Sequence, residues 1–348
     1  MNRYYTRACN FYYGLKSKDL VKKKKTLSLN GNNEISFDKI EIISRKSIKT
    51  INLGEVNKLP INLKKKIKKD IETISRKKNI KDISFGPIPK IMGVLNVTPD
   101  SFSDGGKFNK INSAKKHLDY LFKSGANIVD IGGESTRPGS QPISSQIEWK
   151  RVKNILKKSN KKKLISLDTR KSEVMEKGIK LGINLINDVS GLNYDNNSVH
   201  VLKRSNIPFV LQHSQGNPDE MQKNPKYQNV LLDIYDFFEE KIKFLRKIGI
   251  KHNNIILDPG IGFGKNLKHN MTIIKNISIY HSLGLPILLG FSRKKYIKEL
   301  SGKNDSKLRV GGTVSTSIFV MMQGIQMIRV HDVNEINQSI KVFKEFIK

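Results

Sequence analysis

The chain has 348 residues, 37% of them hydrophobic, and is long enough to bury a sizeable core. Its 64 lysine and arginine residues outnumber 31 acidic residues, and the formal net charge of +33 favours anionic partners. The single cysteine excludes an intrachain disulfide, and no apolar stretch reaches the roughly 18 residues that a membrane span needs. We therefore expect a cytoplasmic protein without a membrane partner.

The lysines accompany many isoleucine and asparagine residues in every segment that looks exposed. This texture is typical of a coding bias toward AT-rich codons, and no basic stripe with interleaved aromatic residues stands out. Specific nucleic-acid binding by a non-enzymatic protein is therefore a disfavoured alternative.

The first 25 residues contain one acid, Asp19, so their composition alone permits a mitochondrial presequence. Aromatic residues in this segment look like packing residues, which makes import the minor alternative to a cytoplasmic location. These residues are Tyr4, Tyr5, Phe11, Tyr12 and Tyr13.

Residues 1–89 differ from the rest of the chain in composition and in the pattern of apolar residues. They contain lysine-rich runs at 22–25 and 64–69, few glycines and short apolar alternations. The pattern predicts a small, basic α+β extension, with strands within 26–55 and an amphipathic helix near 60–78. It indicates no role for this extension.

From residue 90 to residue 348, short apolar runs alternate with longer segments at helical spacing. Eight such units predict an α/β fold of the (β/α)8 TIM-barrel type, since an open doubly wound sheet would more naturally stop nearer about six strands. Residues 229–249 have the apolar stripe of an outer-ring helix. The strand candidates are 91–96, 127–132, 164–168, 184–187, 207–212, 254–258, 286–290 and 327–331.

Polar side chains stand at the ends of these predicted strands. A single one could be a helix cap or a turn residue, but the ends of eight barrel strands surround one mouth. We therefore predict that these side chains meet over one ligand. They are Asn96, Asp130, Asp168, Asn187 with Asp188, His213, Asp258, the Ser292–Arg293–Lys294 corner, and Arg329 with His331.

The chemistry of these residues describes the ligand. Asp258 and Asn187 suit the amide-and-amine edge of a flat heterocycle, which a carboxylate can hold through two parallel hydrogen bonds. Asn96 offers a hard oxygen of the kind that Mg²⁺ accepts when phosphates and water supply its other ligands. Cationic donors indicate a phosphate or carboxylate group on the same ligand or on its partner. These donors are Arg137, Lys294, Arg329 and His331.

Two motifs that suggest other sites are discounted. The glycines of DPGIGFGK resemble a phosphate loop only loosely, and we expect them to let a loop turn sharply beneath a ligand. His213 has no second histidine or cysteine at a ligand spacing, which favours a structural role over metal binding.

Eight segments of the chain, in their order along it, resemble those of the dihydropteroate synthases, which are folate-pathway enzymes of the pterin-binding barrel family. The resemblance implies a transferase that joins 4-aminobenzoate to 6-hydroxymethyl-7,8-dihydropterin diphosphate, forms 7,8-dihydropteroate and releases pyrophosphate. It also implies a homodimer. The segments, which lie between residues 95 and 333, are LNVTPDSFSDGG, DIGGESTRPGS, SLDTRK, INDVSG, QHSQGNP, LDPGIGFGKN, GFSRKKYI and IRVHDV.

The resemblance also implies roles for individual residues. The pterin would contact Asp168, Asn187, Asp258, Phe263 and Lys294. The diphosphate would contact Asn96, Arg329 and His331, with Mg²⁺ on Asn96. The aminobenzoate pocket and its covering loops would include Ser101, Phe102, Thr136, Arg137 and Pro138.

In the family mechanism the carbon–oxygen bond breaks before the amine attacks, leaving positive charge on the pterin and negative charge on the diphosphate. Asp168 can stabilise the first charge, and Mg²⁺ with Arg329 and His331 can stabilise the second. With Lys294, these residues are the expected catalytic set.

Three positions depart from the family pattern, and one related activity stays open. Lys295 stands where many relatives have a small hydroxyl residue, while Gln212 and Ser214 stand where methionines are common. A methyltetrahydrofolate-binding methyltransferase barrel would share the pterin contacts, but it would have no use for Arg329 and His331.

Overall fold

The strands of the protein form two separate sheets in this computed structural model. The structure describes residues 3–98, 107–135, 140–160, 162–216 and 225–348. The first sheet is antiparallel and lies in the N-terminal extension. The predicted basic helix is present, but the extension also contains a strand and a helix before residue 26 that the sequence analysis did not predict. Its elements are β1 (Tyr5–Tyr13), α1 (Gly14–Lys22), β2 (Leu27–Leu29), β3 (Asn32–Ile43), β4 (Ile48–Asn52) and α2 (Ile61–Ser75).

The extension packs directly against the barrel through Tyr5. This residue is fully buried in the main hydrophobic cluster of the barrel, and its ring lies edge-on to Tyr235 at a centroid distance of 5.0 Å. The Tyr5 hydroxyl donates to Asp236 at 2.8 Å, and Arg45 forms ion pairs with Asp233 and Asp236 at 2.7 and 2.8 Å. The extension is therefore continuous with the barrel core along this contact.

We expect Tyr5→Ala to destabilise the whole protein by about 3–5 kcal/mol, the usual cost of removing a large buried aromatic side chain. The control is Tyr12→Ala on the same strand, because Tyr12 is only half-buried. Chemical denaturation followed by tryptophan fluorescence gives both values, since the one tryptophan, Trp149, lies in the barrel part of the chain. Equal losses in the two variants would contradict the assigned packing.

The second sheet is the predicted barrel, with eight parallel strands. It closes where Leu257 bridges Ile287 in parallel, with the Leu257 amide donating to the Pro286 carbonyl at 2.9 Å. Most strand starts lie within one residue of the prediction, but two strands begin two residues late, after Pro208 and Pro286, which have no N–H to donate. The strands are β5 (Lys90–Asn96), β6 (Ile128–Gly132), β7 (Leu164–Asp168), β8 (Leu185–Asp188), β9 (Phe209–Gln212), β10 (Ile255–Asp258), β11 (Leu288–Gly290) and β12 (Met327–Val330).

Helices surround this barrel and bury their apolar stripes against it. The segment predicted as an outer-ring helix forms Val230–Lys247, and Leu232 and Phe238 on its stripe are fully buried. None of the helices within the described ranges is long and apolar enough to cross a membrane. The barrel helices are α3 (Lys107–Lys123), α4 (Ser145–Lys158), α5 (Ser172–Lys180), α6 (Asn197–Ser205), α7 (Val230–Lys247), α8 (Leu267–Lys275), α9 (Lys295–Ser301), α10 (Val310–Met321) and α11 (Val333–Phe346).

One apolar layer fills the barrel interior at the amino ends of the strands. Residues before the first barrel strand, including Ile80 and Ile83, pack into the same cluster and cover that end. Because side chains alternate across a strand, the residue two positions after each member of this layer also points inward, nearer the opposite mouth. The layer comprises Met92, Ile128, Leu185, Val210, Ile256, Leu288 and Met327.

Candidate active site at the carboxyl ends of the barrel strands

Strand alternation places a polar layer directly above the apolar one. Asp258 follows Ile256 by two positions, and Arg329 stands in the same relation to Met327. A Cβ atom at Gly290, on the strand between them, would lie 3.8 Å from both Asp258 Oδ2 and Arg329 Cβ. The carboxylate and the guanidinium therefore flank one mouth, where glycine leaves room between them.

Asn96 and Asp168 face each other across Gly132 in the same way. The three residues lie side by side in the strand register, and a Cβ atom at Gly132 would lie 3.4 Å from Asp168 Cβ and 3.7 Å from Asn96 Oδ1. Asn96, a predicted diphosphate residue, thus adjoins Asp168, a predicted pterin residue.

Arg329 joins two carboxylates at the centre of this mouth. Its Nε donates to Asp130 Oδ2 at 2.7 Å, and its Nη2 donates to Asp168 Oδ2 at 2.8 Å. Burial, and after it the Asp130 carboxylate, raise the pKa of Asp168 well above its usual range, while Arg329 opposes the rise. The arginine therefore balances the negative charge of this part of the mouth.

Asp130 was noted in the sequence only as a strand end, and its role was missed. The strand continues to Gly132, so Asp130 lies two residues deeper, fully buried, and accepts the Asn187 Nδ2 hydrogen at 2.9 Å as well as the Arg329 hydrogen. A carboxylate within the otherwise apolar run IVDIG is the signal that could have found it, because a buried charge needs partners.

Buried polar atoms near this group without a hydrogen-bond partner among the described residues include a pair of acceptor oxygens, Asn187 Oδ1 and Asp130 Oδ1, and the Ser166 hydroxyl on the strand between them. Buried acceptors are normally satisfied, so the pair marks a place where a ligand with N–H donors would fit.

Asp258 lies opposite a lysine. Its Oδ1 accepts from the Gly260 amide at 2.8 Å, and burial raises its pKa to about 6 while Lys294 opposes the rise. The Lys294 amino group donates to the Ile261 carbonyl and lies 4.4 Å from the centroid of the Phe263 ring. Burial lowers the pKa of Lys294 to about 7, with Asp258 acting in the other direction. The predicted pterin residues Asp258, Phe263 and Lys294 are thus in one group.

We expect Asp258→Asn to stabilise the protein at pH 8 while weakening pterin binding. The pKa of Asp258 is higher in the folded protein, about 6, than in an unfolded chain, so folding favours its protonated form, and stability falls as pH rises through 6. The rise in the pKa of Asp258 to about 6 corresponds to roughly 2–3 kcal/mol of lost stability, which the neutral amide would recover at pH 8 but not at pH 4. Denaturant unfolding at both pH values measures this difference, and Asp119→Asn on the exposed face of α3 is the control. An equal gain in the free energy of unfolding at both pH values would show that the charge of Asp258 is not its cause.

His331 sits at the edge of the mouth, beyond the end of its strand. Its amide donates to Ser292 Oγ at 3.2 Å, and its Nδ1 lies 3.1 Å from the same oxygen. Arg293, which adjoins this serine, is paired instead with Asp332. Ser292 therefore orients the imidazole at the edge of the mouth.

The glycine-rich segment after β10 turns sharply, as predicted. Gly260, Gly262 and Gly264 have φ values of +66°, +81° and +62°. A Cβ atom at Gly260 would lie 2.0 Å from the His213 carbonyl oxygen, so only glycine fits there. His213 itself is buried, and its Nδ1 lies 3.0 Å from the amino group of Lys265, a residue that the sequence analysis did not single out.

Behind the mouth, a buried ionic network joins the segments that follow β6 and β7. Glu134 accepts from Arg170 Nε and Lys171 Nζ, both at 2.9 Å, and from the Ile143 amide at 3.0 Å. Lys171 also pairs with Glu148 at 2.6 Å. The network balances its own charges and holds the chain on both sides of Asp168's strand end.

The departures from the family pattern lie in different surroundings. Gln212 is buried, pairs in register with Asp258 and donates to the Val189 carbonyl at 3.3 Å, whereas Ser214 is only half-buried. Lys295 has a largely exposed side chain that pairs with Glu299 at 3.4 Å.

Five predicted residues lie outside the described part of the chain: Ser101, Phe102, Thr136, Arg137 and Pro138. Within the described part, no three histidine, cysteine or carboxylate side chains are placed to hold a metal ion. The available donor is the single amide oxygen of Asn96. It fits a Mg²⁺ ion whose other ligands are phosphates and water, and does not form an all-protein cage.

Comparison with known proteins identifies the relatives of this chain. Residues 92–331 match the family model described as "Pterin binding enzyme". The dihydropteroate synthase of Escherichia coli K12 is 40% identical over 256 residues, 73% of this chain and 90% of that protein. That of Clostridium beijerinckii is 42% identical over 265 residues, 75% and 96% of the two chains.

Solved structures give the same result. A Clostridium difficile dihydropteroate synthase crystallised in the presence of pteroic acid has a TM-score of 0.71 and 37% identity, over 76% of this chain and 98% of that one. The Xanthomonas albilineans enzyme in complex with 7,8-dihydropteroate has a TM-score of 0.67 and 32% identity, over 74% and 94% of the two chains.

Proposed function

The chain belongs to the pterin-binding enzyme family, and from this premise we propose how the mouth of its barrel works. The chain is a transferase that forms dihydropteroate in folate biosynthesis. Its substrates are small molecules of the pterin and 4-aminobenzoate type. Formation of 7,8-dihydropteroate releases pyrophosphate. The roles of individual residues, the use of Mg²⁺, homodimer formation and the division of the chain at residue 89 are our proposals.

The pterin binds between Asp258 and Asn187. The Asp258 carboxylate accepts two N–H groups from the edge of the ring, and Asn187 Oδ1, which is buried without a partner, accepts another. Lys294 donates to an acceptor on the ring, and Phe263, whose ring lies beside this lysine, packs on the ligand. The support for this arrangement is that donors and acceptors of the right kind converge on one buried layer.

Charge separation in the reaction uses both signs of charge in the mouth. When the carbon–oxygen bond breaks, positive charge spreads over the pterin, and Asp168 faces it. Negative charge builds up on the diphosphate, and Arg329 and His331 bind this group and stabilise its charge. These groups are already in place before bond breaking, so little reorganisation is needed at the moment of reaction. This separation of charges is the step that the site supports best.

The amine of 4-aminobenzoate then attacks the pterin carbon. An aromatic amine is uncharged at neutral pH and needs no strong general base, which agrees with the lack of one among the proposed residues. By family resemblance, the aminobenzoate pocket is formed by Ser101, Phe102, Thr136, Arg137 and Pro138.

Mg²⁺ would be held by Asn96 together with the phosphates of the substrate. When bound, the ion would neutralise charge on the departing diphosphate. Asn96 contributes one neutral oxygen, so the protein alone is expected to bind the ion weakly, and the substrate supplies most of its ligands.

The test is release of pyrophosphate from pterin diphosphate and 4-aminobenzoate, with and without Mg²⁺. We expect product formation that requires both substrates and that is lost in excess EDTA and restored by added Mg²⁺. Asn96→Ala should raise the Mg²⁺ concentration needed for half-maximal rate about tenfold, by loss of one oxygen ligand. Full activity in EDTA would refute the use of the ion, whereas no pyrophosphate release under any condition would refute the reaction.

A further inference from the structure

Lys265 is an unusual residue for its position. It is 2% exposed, and its amino group contacts the Phe263 carbonyl at 2.9 Å, His213 Nδ1 at 3.0 Å and the His213 carbonyl at 3.5 Å. It forms no ion pair with a carboxylate among the described residues. Burying an amino group without a countercharge is costly, so this lysine needs an explanation beyond packing.

The surroundings of Lys265 favour its uncharged form. Burial lowers its pKa well below the usual range, an effect that Asp258 opposes and Lys294 reinforces. Burial also lowers the pKa of His213, whose ring lies edge-on to Phe237 at 4.9 Å. Lysine and imidazole therefore meet as a hydrogen-bonded pair between the segments that follow β9 and β10.

This pair is connected to the pterin-binding group by short contacts. The Phe263 carbonyl accepts from Lys265, while the ring of the same residue lies 4.4 Å from the Lys294 amino group. Two residues earlier, the Ile261 carbonyl accepts from Lys294. The two lysines thus hold opposite sides of one glycine-rich turn, with Lys265 beneath it and Lys294 on the side of the mouth.

We propose that Lys265 is a positioning residue for pterin binding: its buried amino group ties the Phe263 carbonyl to His213 and thereby sets the turn that places Lys294. The inference rests on the proposed function, because it concerns the affinity for the pterin substrate. It assigns no contact between Lys265 and the substrate. A buried tether of this kind acts on the geometry of the turn alone, and aminobenzoate binding should be unaffected.

The experiment compares Lys265→Met, which keeps the length of the side chain and removes the amino group, with Lys265→Gln, which retains an N–H donor. Lys268→Met is the matched control, because Lys268 is three residues away and exposed. Steady-state rates are measured in the full-length protein while each substrate is varied in turn, after the wild-type protein has been shown to release pyrophosphate.

We expect KM for pterin diphosphate to rise about tenfold in Lys265→Met and about threefold in Lys265→Gln, since small displacements of a binding group have effects of this size. KM for 4-aminobenzoate should stay within about twofold of wild type in both variants, and Lys268→Met should match wild type. If Lys265→Met does not fold, the inference is tested in Lys265→Gln alone, by a raised KM for pterin diphosphate with an unchanged KM for 4-aminobenzoate.

Two results would overturn the inference: an unchanged KM for pterin diphosphate, or equal increases in both KM values, which would indicate a general loss of structure. Failure of the wild-type assay would instead refute the proposed function, so the two failures are distinguishable.

Discussion

Asp168→Asn should reduce kcat by about 100- to 1,000-fold, the size of effect seen when one preorganised electrostatic group is removed from an active site. The amide oxygen can still accept the Arg329 hydrogen that Asp168 Oδ2 accepts at 2.8 Å, so the geometry of the mouth is retained. The substitution removes the negative charge that faces the pterin cation. Single-turnover measurements at saturating substrate separate this loss from any change in binding.

The same substitution should not weaken the fold. Burial and the neighbouring Asp130 raise the pKa of Asp168, so its negative charge is unfavourable in the folded protein. The melting temperature of Asp168→Asn should therefore equal or exceed that of wild type. A variant that unfolds more easily than wild type would show that the lost activity has a structural cause.

The adjoining strand supplies a matched control, Asp188→Asn. Asp188 is also a fully buried carboxylate at a strand end, and burial raises its pKa to about 6. Its Oδ1 accepts from the amide and hydroxyl of Ser190, at 2.7 and 2.6 Å, within its own turn. Asp188 follows the inward-facing Asn187, so strand alternation directs it away from the barrel interior, and the prediction that it meets the ligand with the other strand ends was wrong. We therefore expect kcat within about threefold of wild type for this variant. A loss as large as that of Asp168→Asn would contradict the proposed role of Asp168.

The barrel and the convergence of its strand ends could be predicted from the sequence because both depend on local periodicity. Asp258 and Arg329 each stand two residues after an apolar, inward-facing residue, and the alternation of side chains carries them to one mouth in any closed parallel barrel. The strand β1 could not be predicted, because this segment lacks a regular apolar alternation. Its residues are buried on parts of both faces, so no clear alternation marks it.

The partners within the mouth could not be predicted in the same way. The ion pairs of Arg329 with Asp130 and Asp168 join residues 199 and 161 positions apart, and which carboxylate an arginine reaches depends on strand order and depth in the barrel. Lys265 was missed because lysine is usually exposed, and only the fold reveals that the turn after β10 buries it against His213. Periodicity thus locates a site, whereas its charge balance is a tertiary property.

Arg329→Met should destabilise the protein by about 3–5 kcal/mol at pH 8, the usual cost of removing one partner from a buried ion pair. It should also abolish detectable turnover, because the diphosphate would lose its principal cation. Asp130 and Asp168, both within 2.8 Å of the guanidinium, would be left facing each other without a positive charge. The free energy of unfolding from denaturant titrations measures the first effect.

The pH dependence of this loss identifies its cause. Without Arg329, the pKa of Asp168, already raised by burial and Asp130, would rise further above its unfolded value. The folded variant would then favour the protonated carboxyl, so its stability should be greatest at low pH and should fall as pH rises through the raised pKa. Because the pKa of Asp168 in wild type is already raised to about 8, the two stability curves should separate mainly above that pH. The difference from wild type should therefore be smaller at pH 6 than at pH 9.5, whereas loss of packing alone would give the same difference at both.

A second substitution separates charge from packing within the same site. Asp130→Asn in the Arg329→Met background removes one of the two unbalanced carboxylates, and it should recover a substantial part of the lost stability at pH 8 without recovering turnover. Arg329→Lys retains the charge, but one ammonium cannot reproduce two directed bonds at 2.7 and 2.8 Å, so its stability should lie between those of Arg329→Met and wild type. If the double variant were no more stable than Arg329→Met, repulsion between the carboxylates would not be the cause, and the charge balance assigned to Arg329, Asp130 and Asp168 would be wrong.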